Sequence, residues 1–115
     1  MRYEWDQRKN RENQRKHGIS FELASLVFND PDCLVEMDRV DETGEQRWHA
    51  LGAASIEPET ALIVLVAFVY RHPSGESSSP GIPKEDQDGE EIIRIISARR
   101  ADKNEVRRYQ EQEVD

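Results

Sequence analysis

Two apolar stretches in the second half of the chain predict the centre of a β-sheet. Residues 61–70 are apolar throughout, as expected of a strand covered on both faces. The isoleucine-rich residues 91–96 are too few for a typical buried helix and predict a second strand. We expect this strand to turn through residues 97–101 into a C-terminal helix, because Asp102 and Glu105 have the spacing of a capping box.

The first thirty residues carry the start and stop signals of two helices. Asp6 is placed to cap a helix over Gln7–His17, and Gly18 is placed to close it. This helix has no apolar stripe, so we expect it to pack through the stems of its polar side chains and against the next helix. Ser20 then caps an amphipathic helix that ends at residues 29–32, which read Asn-Asp-Pro-Asp.

Short strands and turns occupy most of the remaining chain. Within one of them, alternation places Trp48 and Ala50 on one face and Arg47 and His49 on the other. The elements in order are a short N-terminal strand, two helices, an antiparallel sheet of three to four strands and a C-terminal helix, which is an α+β fold. The pattern predicts strands at residues 2–5, 33–37 and 46–52, an acidic hairpin turn at 38–45 and a loop at 53–60.

Residues 72–89 differ from the sequence around them. They contain three prolines, three glycines, a triple serine and four acidic residues, so they offer almost nothing to bury. Such a composition predicts a long, mobile, acidic loop. At 115 residues the chain is otherwise the size of one domain, and we interpret residues 1–115 as a single domain that carries this loop.

Charge is distributed unevenly along a chain whose net charge is −8. Residues 7–17 carry five cations against one acid, and residues 92–108 carry six cations against two, so each segment has a local charge of +4. Residues 20–91 hold 16 acids and four cations, a local charge of −12. The net charge of the whole chain argues against a nucleic-acid binder, whereas the two basic segments contain the permanently charged arginines that bind phosphate.

Several function classes find no support in the sequence. Cys33 is the only cysteine, which excludes an internal disulfide and fits a reducing cytoplasm. The three histidines are scattered, so the spacing of a zinc site is absent, and no Gly-rich phosphate loop predicts a cofactor. The apolar residues 61–70 are too few to cross a bilayer. We therefore expect a cytoplasmic protein with no metal, no cofactor and no membrane partner.

The chain resembles the BrnT family of bacterial type II toxins over nearly its whole length. The Lys-His-Gly and Ile-Ser-Ala-Arg-Arg blocks, in that order, are the most specific part of the resemblance. The segments that carry it are Tyr3-Glu4-Trp5-Asp6, Asn13, Lys16-His17-Gly18-Ile19-Ser20-Phe21-Glu22, Ala24, Phe28-Asn29-Asp30-Pro31, Glu45-Gln46-Arg47-Trp48, Leu51-Gly52, Val69-Tyr70-Arg71, Arg94-Ile95-Ile96-Ser97-Ala98-Arg99-Arg100-Ala101, Glu105 and Tyr109.

The resemblance implies a RelE-like fold and ribonuclease toxicity. It also implies neutralisation by a partner antitoxin, BrnA, which has a ribbon-helix-helix DNA-binding part. Contact with DNA would then be indirect, through the antitoxin, and the direct substrate would be RNA.

RNA cleavage needs only bases and cations, because the 2′-hydroxyl of RNA is itself the nucleophile. An enzyme has to remove the hydroxyl proton, stabilise the charged phosphorane and protonate the leaving oxygen. The catalytic candidates are His17, Arg99, Arg100, Glu105 and Tyr109. The candidates for RNA binding are Arg8, Arg11, Arg15, Lys16, Arg47, Arg71, Lys103 and Arg107.

Each candidate also has a plain structural interpretation. His17 either exchanges protons, as histidine does most readily near neutral pH, or only caps carbonyls before Gly18. One of Arg99 and Arg100 can bind phosphate while the other pairs with Glu105 or Asp102, since neighbours on a strand point to opposite faces. Arg47 and Arg71 could approach the same face of the sheet, although for each alone a surface ion pair is the more common role. Tyr109 either stacks on a base or packs the last helix.

Two functional hypotheses follow from these residues. The first is a metal-independent endoribonuclease toxin, which the clustered arginines and His17 favour. The second is a non-catalytic module on the same fold that inhibits a protein target or only binds the antitoxin, which the acidic middle of the chain favours. The fold alone does not separate them.

Overall fold

A mixed five-stranded sheet forms the centre of residues 2–55, 61–71 and 91–112, the part of the chain that a computed structural model describes. A 3₁₀ turn, Leu26–Asn29, follows the second helix directly. In chain order, the helices and strands of these residues are β1 (Arg2–Glu4), α1 (Gln7–His17), α2 (Phe21–Ser25), β2 (Leu34–Val40), β3 (Gln46–Ala54), β4 (Leu62–Arg71), β5 (Ile92–Arg100) and α3 (Lys103–Glu111).

The strands lie side by side in the order β1-β5-β4-β3-β2. β4 is central, which confirms the interpretation of residues 61–70. β2 to β5 form an antiparallel sheet of four strands, and β1 joins it in parallel to β5, so the described sheet has five strands and not three to four. The α+β class is confirmed, while the RelE-like fold stays a prediction.

One face of the sheet, here called the helix face, is covered by α1, α2 and the 3₁₀ turn. Its side chains form the hydrophobic core, and Phe21 and Phe68 are the largest that are fully buried. Burying a side chain of this size stabilises the fold by about 1.5–3 kcal/mol. Phe28 meets Phe68 edge to face at 5.0 Å, and Trp5 and Trp48 pack at the margin of the core.

The predicted caps are present at both ends of α1 and at the start of α2. The Asp6 carboxylate accepts the backbone N–H groups of Arg8 and Lys9, and Gly18 closes α1 in the left-handed region at φ 73°. The Ser20 hydroxyl accepts the N–H of Leu23. These local contacts confirm the predicted starts of α1 and α2 and the end of α1.

Two asparagines hold α1 to its neighbours: Asn10 bonds to α2, against which α1 was expected to pack, and Asn13 bonds to β5. Asn10 accepts the N–H of Phe21 at 2.8 Å and donates to Glu22. Asn13 donates to the carbonyls of Ile19 and Ala98 and accepts the N–H of Ala98. Both side chains are buried, so α1 meets the core through satisfied polar groups rather than an apolar stripe.

Three sequence-based boundaries are wrong because strand pairing extends them. β5 continues through residues 97–100, which were expected to turn, since they pair with residues 64–67 of β4. β2 runs to Val40 and β3 to Ala54, which shortens both the acidic turn and the loop after β3. The predicted loop at 72–89 and residues 56–60 lie outside the described residues.

Candidate nucleic-acid interface

The face of the sheet opposite the helix face collects arginines from four strands. Residues directly opposite each other on paired strands point to the same side of a sheet. The pairs Arg39 with Arg47, Val69 with Arg94 and Leu65 with Arg99 therefore share this side, as does Arg71, which pairs with Ile92. We call this the arginine face and define it by Arg39, Arg47, Arg71, Arg94 and Arg99.

Glu4 holds two of these arginines together at one end of the face. Its Oε2 accepts a hydrogen bond from Arg71 Nη1 at 2.6 Å and another from Arg94 Nη1 at 2.9 Å. A single carboxylate thus faces two guanidinium groups, which leaves this trio with a net positive charge. Each guanidinium has five N–H donors, and Glu4 takes one from each. The remaining donors can bind the oxygens of an external phosphate.

Arg47 stands beside this trio and is held by the hairpin turn between β2 and β3. Its Nε donates to Asp41 at 3.2 Å. The Asp41 carboxylate also accepts the Thr43 hydroxyl and the N–H groups of Thr43 and Glu45. The Thr43 hydroxyl bond, followed by the backbone and Arg47 bonds, lowers the pKa of Asp41 to about 2. The turn therefore holds the Arg47 guanidinium through its Nε, while the side chain as a whole stays 28% exposed.

His49 occupies the row between Arg47 and Arg99 on the same face. Its Nε2 lies 3.6 Å from an Asp38 carboxylate oxygen, so Asp38 stands close enough to help orient the ring. Its neighbours across the sheet are Glu36 on β2 and, on the other side, the small side chains of Ala67 and Ser97. The imidazole is about one-third exposed and is accessible to a substrate lying across the arginines.

Arg99 is held by α3 in a two-point ion pair. Its Nη1 and Nη2 donate to Glu105 at 2.8 and 2.9 Å, and Glu105 also accepts the N–H of Asp102 in the predicted capping box. The hydrogen bonds from Arg99 hold the pKa of Glu105 below its ordinary value, and the same bonds raise the pKa of Arg99. Arg99 is thus the arginine that pairs with Glu105, while Arg100 points to the helix-face side and is exposed.

Tyr109 docks the other end of α3. Its hydroxyl donates to Asp30 Oδ2 at 2.5 Å, and the same carboxylate accepts the N–H groups of Ala53 and Asp32. Burial works to raise the pKa of Asp30, but the bonds from Ala53, Tyr109 and Asp32 outweigh it and the pKa is lowered. The buried tyrosine thus ties α3 to the loop before β2, which supports its packing interpretation.

His17 lies in a different place from the other catalytic candidates. It lines a hollow of about 250 Å³ beside β5 with Lys9, Glu12, Asn13, Lys16, Ile96 and Ser97. Among the described residues, the structure brings Arg99 and Glu105 into contact and places Tyr109 one helical turn beyond Glu105. His17 shares no hydrogen bond or hollow with these three.

The remaining cationic candidates fall on three surfaces. Arg47 and Arg71 belong to the arginine face. Lys103 and Arg107 line a hollow of about 400 Å³ along α3. The cations of α1 are exposed on the far side of the sheet, where Arg8 pairs with Glu12; they are Arg8, Arg11, Arg15 and Lys16.

Sequence reasoning missed Glu4, Asp38, Arg39, His49 and Arg94 as members of this surface. The alternation of residues 46–50 had already placed Arg47 and His49 on one face. What it could not supply was the register that sets Arg94 in the row of Val69 and Glu4 beside Arg94. Strand register joins positions far apart in the sequence.

The described ranges contain no group of three or more His, Cys, Asp and Glu side chains arranged to hold a metal ion. None of their helices is both long and apolar enough to cross a membrane.

A comparison with protein families decides the assignment. The model described as "Ribonuclease toxin, BrnT, of type II toxin-antitoxin system" matches residues 5–105. The chain belongs to the BrnT family. The match includes β2 to β5 and the Arg99–Glu105 pair, and Glu4 and Tyr109 fall outside it. No curated protein matches the chain.

Proposed function

We propose that this BrnT-family protein is a metal-independent endoribonuclease whose substrate lies across the arginine face. The observation that carries the proposal is the collection of five arginines from four strands on one side of a chain with a net charge of −8. An RNA strand presents one phosphate per nucleotide, and guanidinium groups bind phosphate in two-point fashion. Arg71 and Arg94 share the single carboxylate of Glu4, so this trio carries a net positive charge.

The arrangement can carry out cleavage through the 2′-hydroxyl. His49, oriented by Asp38, takes the 2′-hydroxyl proton while the 2′-oxygen attacks phosphorus. Arg47 and Arg94 stabilise the charged phosphorane, which has more negative charge than the starting diester. The bond to the 5′-oxygen breaks, that oxygen takes a proton from water, and the products carry a 2′,3′-cyclic phosphate and a 5′-hydroxyl. His17, the earlier candidate for this role, lies beside a separate hollow.

The partner of this protein is a BrnA-like antitoxin with a ribbon-helix-helix part. Membership of a type II toxin family supports a protein antitoxin. The arginine face is the surface that such an antitoxin has to cover in order to exclude RNA. Carboxylates placed there would pair with its partly exposed guanidinium groups and so keep them from becoming buried without a partner. Contact with DNA would come only through the antitoxin.

The first prediction concerns cleavage itself. The purified protein should cleave single-stranded RNA in excess EDTA and leave 2′,3′-cyclic phosphate ends, which are identified by their resistance to phosphatase until acid treatment. Arg94→Ala and His49→Ala should each lower the single-turnover rate by about 10²-fold, the scale for losing one transition-state group. His17→Ala is the matched control and should cleave at the wild-type rate.

Two results would contradict this mechanism. Loss of cleavage in EDTA that a divalent ion restores would replace it with metal catalysis. A rate that falls with His17→Ala and not with His49→Ala would move the proton transfer to the hollow beside α1.

A non-catalytic binding module is the alternative function. One specific observation favours it: acidic side chains of the same chain already pair with Arg47, Arg94 and Arg99. RNA binding without cleavage, or antitoxin binding without RNA binding, would establish this alternative.

A further inference from the structure

β2 exposes a row of apolar side chains at the edge of the sheet. Val35, Met37 and Val40 are 42, 50 and 54% exposed, the large hydrophobic residues that stand out as exposed among those described. β2 is the last strand in the order, and among the described residues it pairs with β3 alone. An edge strand with free backbone groups and apolar side chains is a template for pairing with another strand.

A β-bulge places these three side chains on the same face. Val35 pairs with Ala50, Met37 with Trp48 and Val40 with Gln46, and these three partners alternate along one side of β3. The register shifts between Met37 and Arg39, so Asp38 is an extra residue. Without the bulge Val40 would point to the opposite face. Val35, Met37 and Val40 thus extend the helix face beyond the helices; we call them the edge strip.

The geometry points to a second copy of this chain as the occupant of the edge strip, paired antiparallel through β2. In an antiparallel pair, residues directly opposite must share a face. The bulge makes one register self-complementary, because it sets Val35 opposite Val40 of the second copy and Glu36 opposite its Arg39. Each match occurs twice about a two-fold axis, and it joins apolar to apolar and acid to base.

This pairing would produce one continuous sheet across two molecules. A two-fold axis perpendicular to the sheet keeps equivalent faces on the same side, so the two edge strips meet on one side. The two arginine faces meet on the other side of this sheet. That RNA could bind across both of them rests on the proposed function, whereas the β2 pairing itself does not depend on it. A single strand pair buries less than the ~1,200 Å² of a stable specific interface. We therefore expect a weak dimer whose population rises with protein concentration.

Sedimentation of the full chain over a hundredfold range of concentration tests the pairing. The wild type should shift from monomer to dimer, and Val35→Lys and Val40→Lys should each keep it monomeric. Both positions are exposed, so thermal melting should be unchanged and would report any loss of folding. Arg11→Glu on α1, far from β2, is the control for altered charge and should dimerise as the wild type does.

A charge exchange tests the register. Arg39→Glu alone places acids opposite each other twice, and Glu36→Arg alone places bases opposite each other twice, so each should weaken its own dimer about tenfold or more. An equimolar mixture of the two variants restores both ion pairs and should form the mixed dimer. The double variant should again pair with itself.

Three outcomes would overturn the inference. The first is a wild-type monomer at every concentration. The second is a dimer indifferent to the changes at Val35 and Val40, which would place the contact elsewhere. The third is a mixture of Arg39→Glu and Glu36→Arg that stays monomeric, together with β2 amides that become protected from hydrogen exchange only when a BrnA-like antitoxin is added. That result would assign the edge strip to the antitoxin.

Discussion

Asn13 shows how one buried polar side chain can take the place of a strand. β1 pairs with β5 as far as Glu4 opposite Arg94, and beyond that point no strand of the described residues lies beside β5 on that side. The Asn13 amide donates to the carbonyl of Ala98 at 2.8 Å and accepts its N–H at 3.2 Å. These are the two bonds that another strand would make. The buried backbone of β5 is thereby satisfied just where α1 crosses it.

Replacement of Asn13 by alanine should destabilise the fold by about 3 kcal/mol. The change leaves the N–H and carbonyl of Ala98 and the carbonyl of Ile19 without their partner, and an unsatisfied buried group costs about 1–3 kcal/mol. Urea unfolding measures the difference. Gln14→Ala, at the exposed neighbouring position, is the matched control and should stay within about 0.5 kcal/mol of the wild type. Equal effects of the two changes would show that the amide contacts do not stabilise the core.

The helix caps were predictable from the sequence, whereas the extents of the strands were not. A cap joins residues two or three positions apart, so the sequence near each helix start is enough to predict it. Asp6, Ser20 and the pair Asp102–Glu105 are the capping residues. Strand β5 extends past residue 96 only because β4 supplies a partner for residues 97–100. The bulge at Asp38 and the burial of Asn13 depend equally on distant partners, and no local pattern reports them.

The same distinction explains how much of the candidate site was predictable. Residue type singled out Arg47, Arg71 and Arg99, but only Arg47 lay within a predicted strand. The full lengths of β4 and β5 and their register bring Arg71 and Arg99 to the same face. The trio built on Glu4 required the parallel pairing of β1 with β5, which joins residues about 90 positions apart.

The turn between β2 and β3 should make stability depend on pH through Asp41. Its pKa is about 2 in the folded protein against an ordinary value of 3.8, so the unfolded chain binds the proton first as pH falls. Its contribution to stability is therefore complete above about pH 4 and is lost as the pH falls to about 2. The stability difference between wild type and Asp41→Asn should accordingly shrink over that range.

Chemical denaturation at several pH values measures this difference. Glu42→Gln, an exposed change in the same turn, is the control and should differ little from the wild type in stability. A difference in the free energy of unfolding between wild type and Asp41→Asn that stays constant from pH 4 to pH 2 would contradict the role given to the carboxylate.

At the scale of the whole molecule, two cationic surfaces lie on different sides of an acidic protein. The arginine face carries charges that are half-buried and already ordered by Glu4, Asp41 and Glu105. The cations of α1 are exposed, and the helix packs on the opposite side of the sheet. Exposed charges act mainly on the rate of encounter, whereas paired charges in a desolvated contact act mainly on dissociation. The two surfaces should therefore affect antitoxin binding in different ways.

Measurements of the association and dissociation rates with a BrnA-like antitoxin separate these two effects. Arg11→Glu combined with Arg15→Glu should slow association at low salt and have much less effect at high salt, because the Debye length is only about 8 Å at physiological ionic strength. Arg47→Ala combined with Arg94→Ala should instead speed dissociation, by about tenfold or more, at every salt concentration. Unchanged dissociation after the second pair of changes would mean that the antitoxin does not cover the arginine face. Neutralisation would then have to act without direct occlusion of RNA, and α1 would be the next surface to examine.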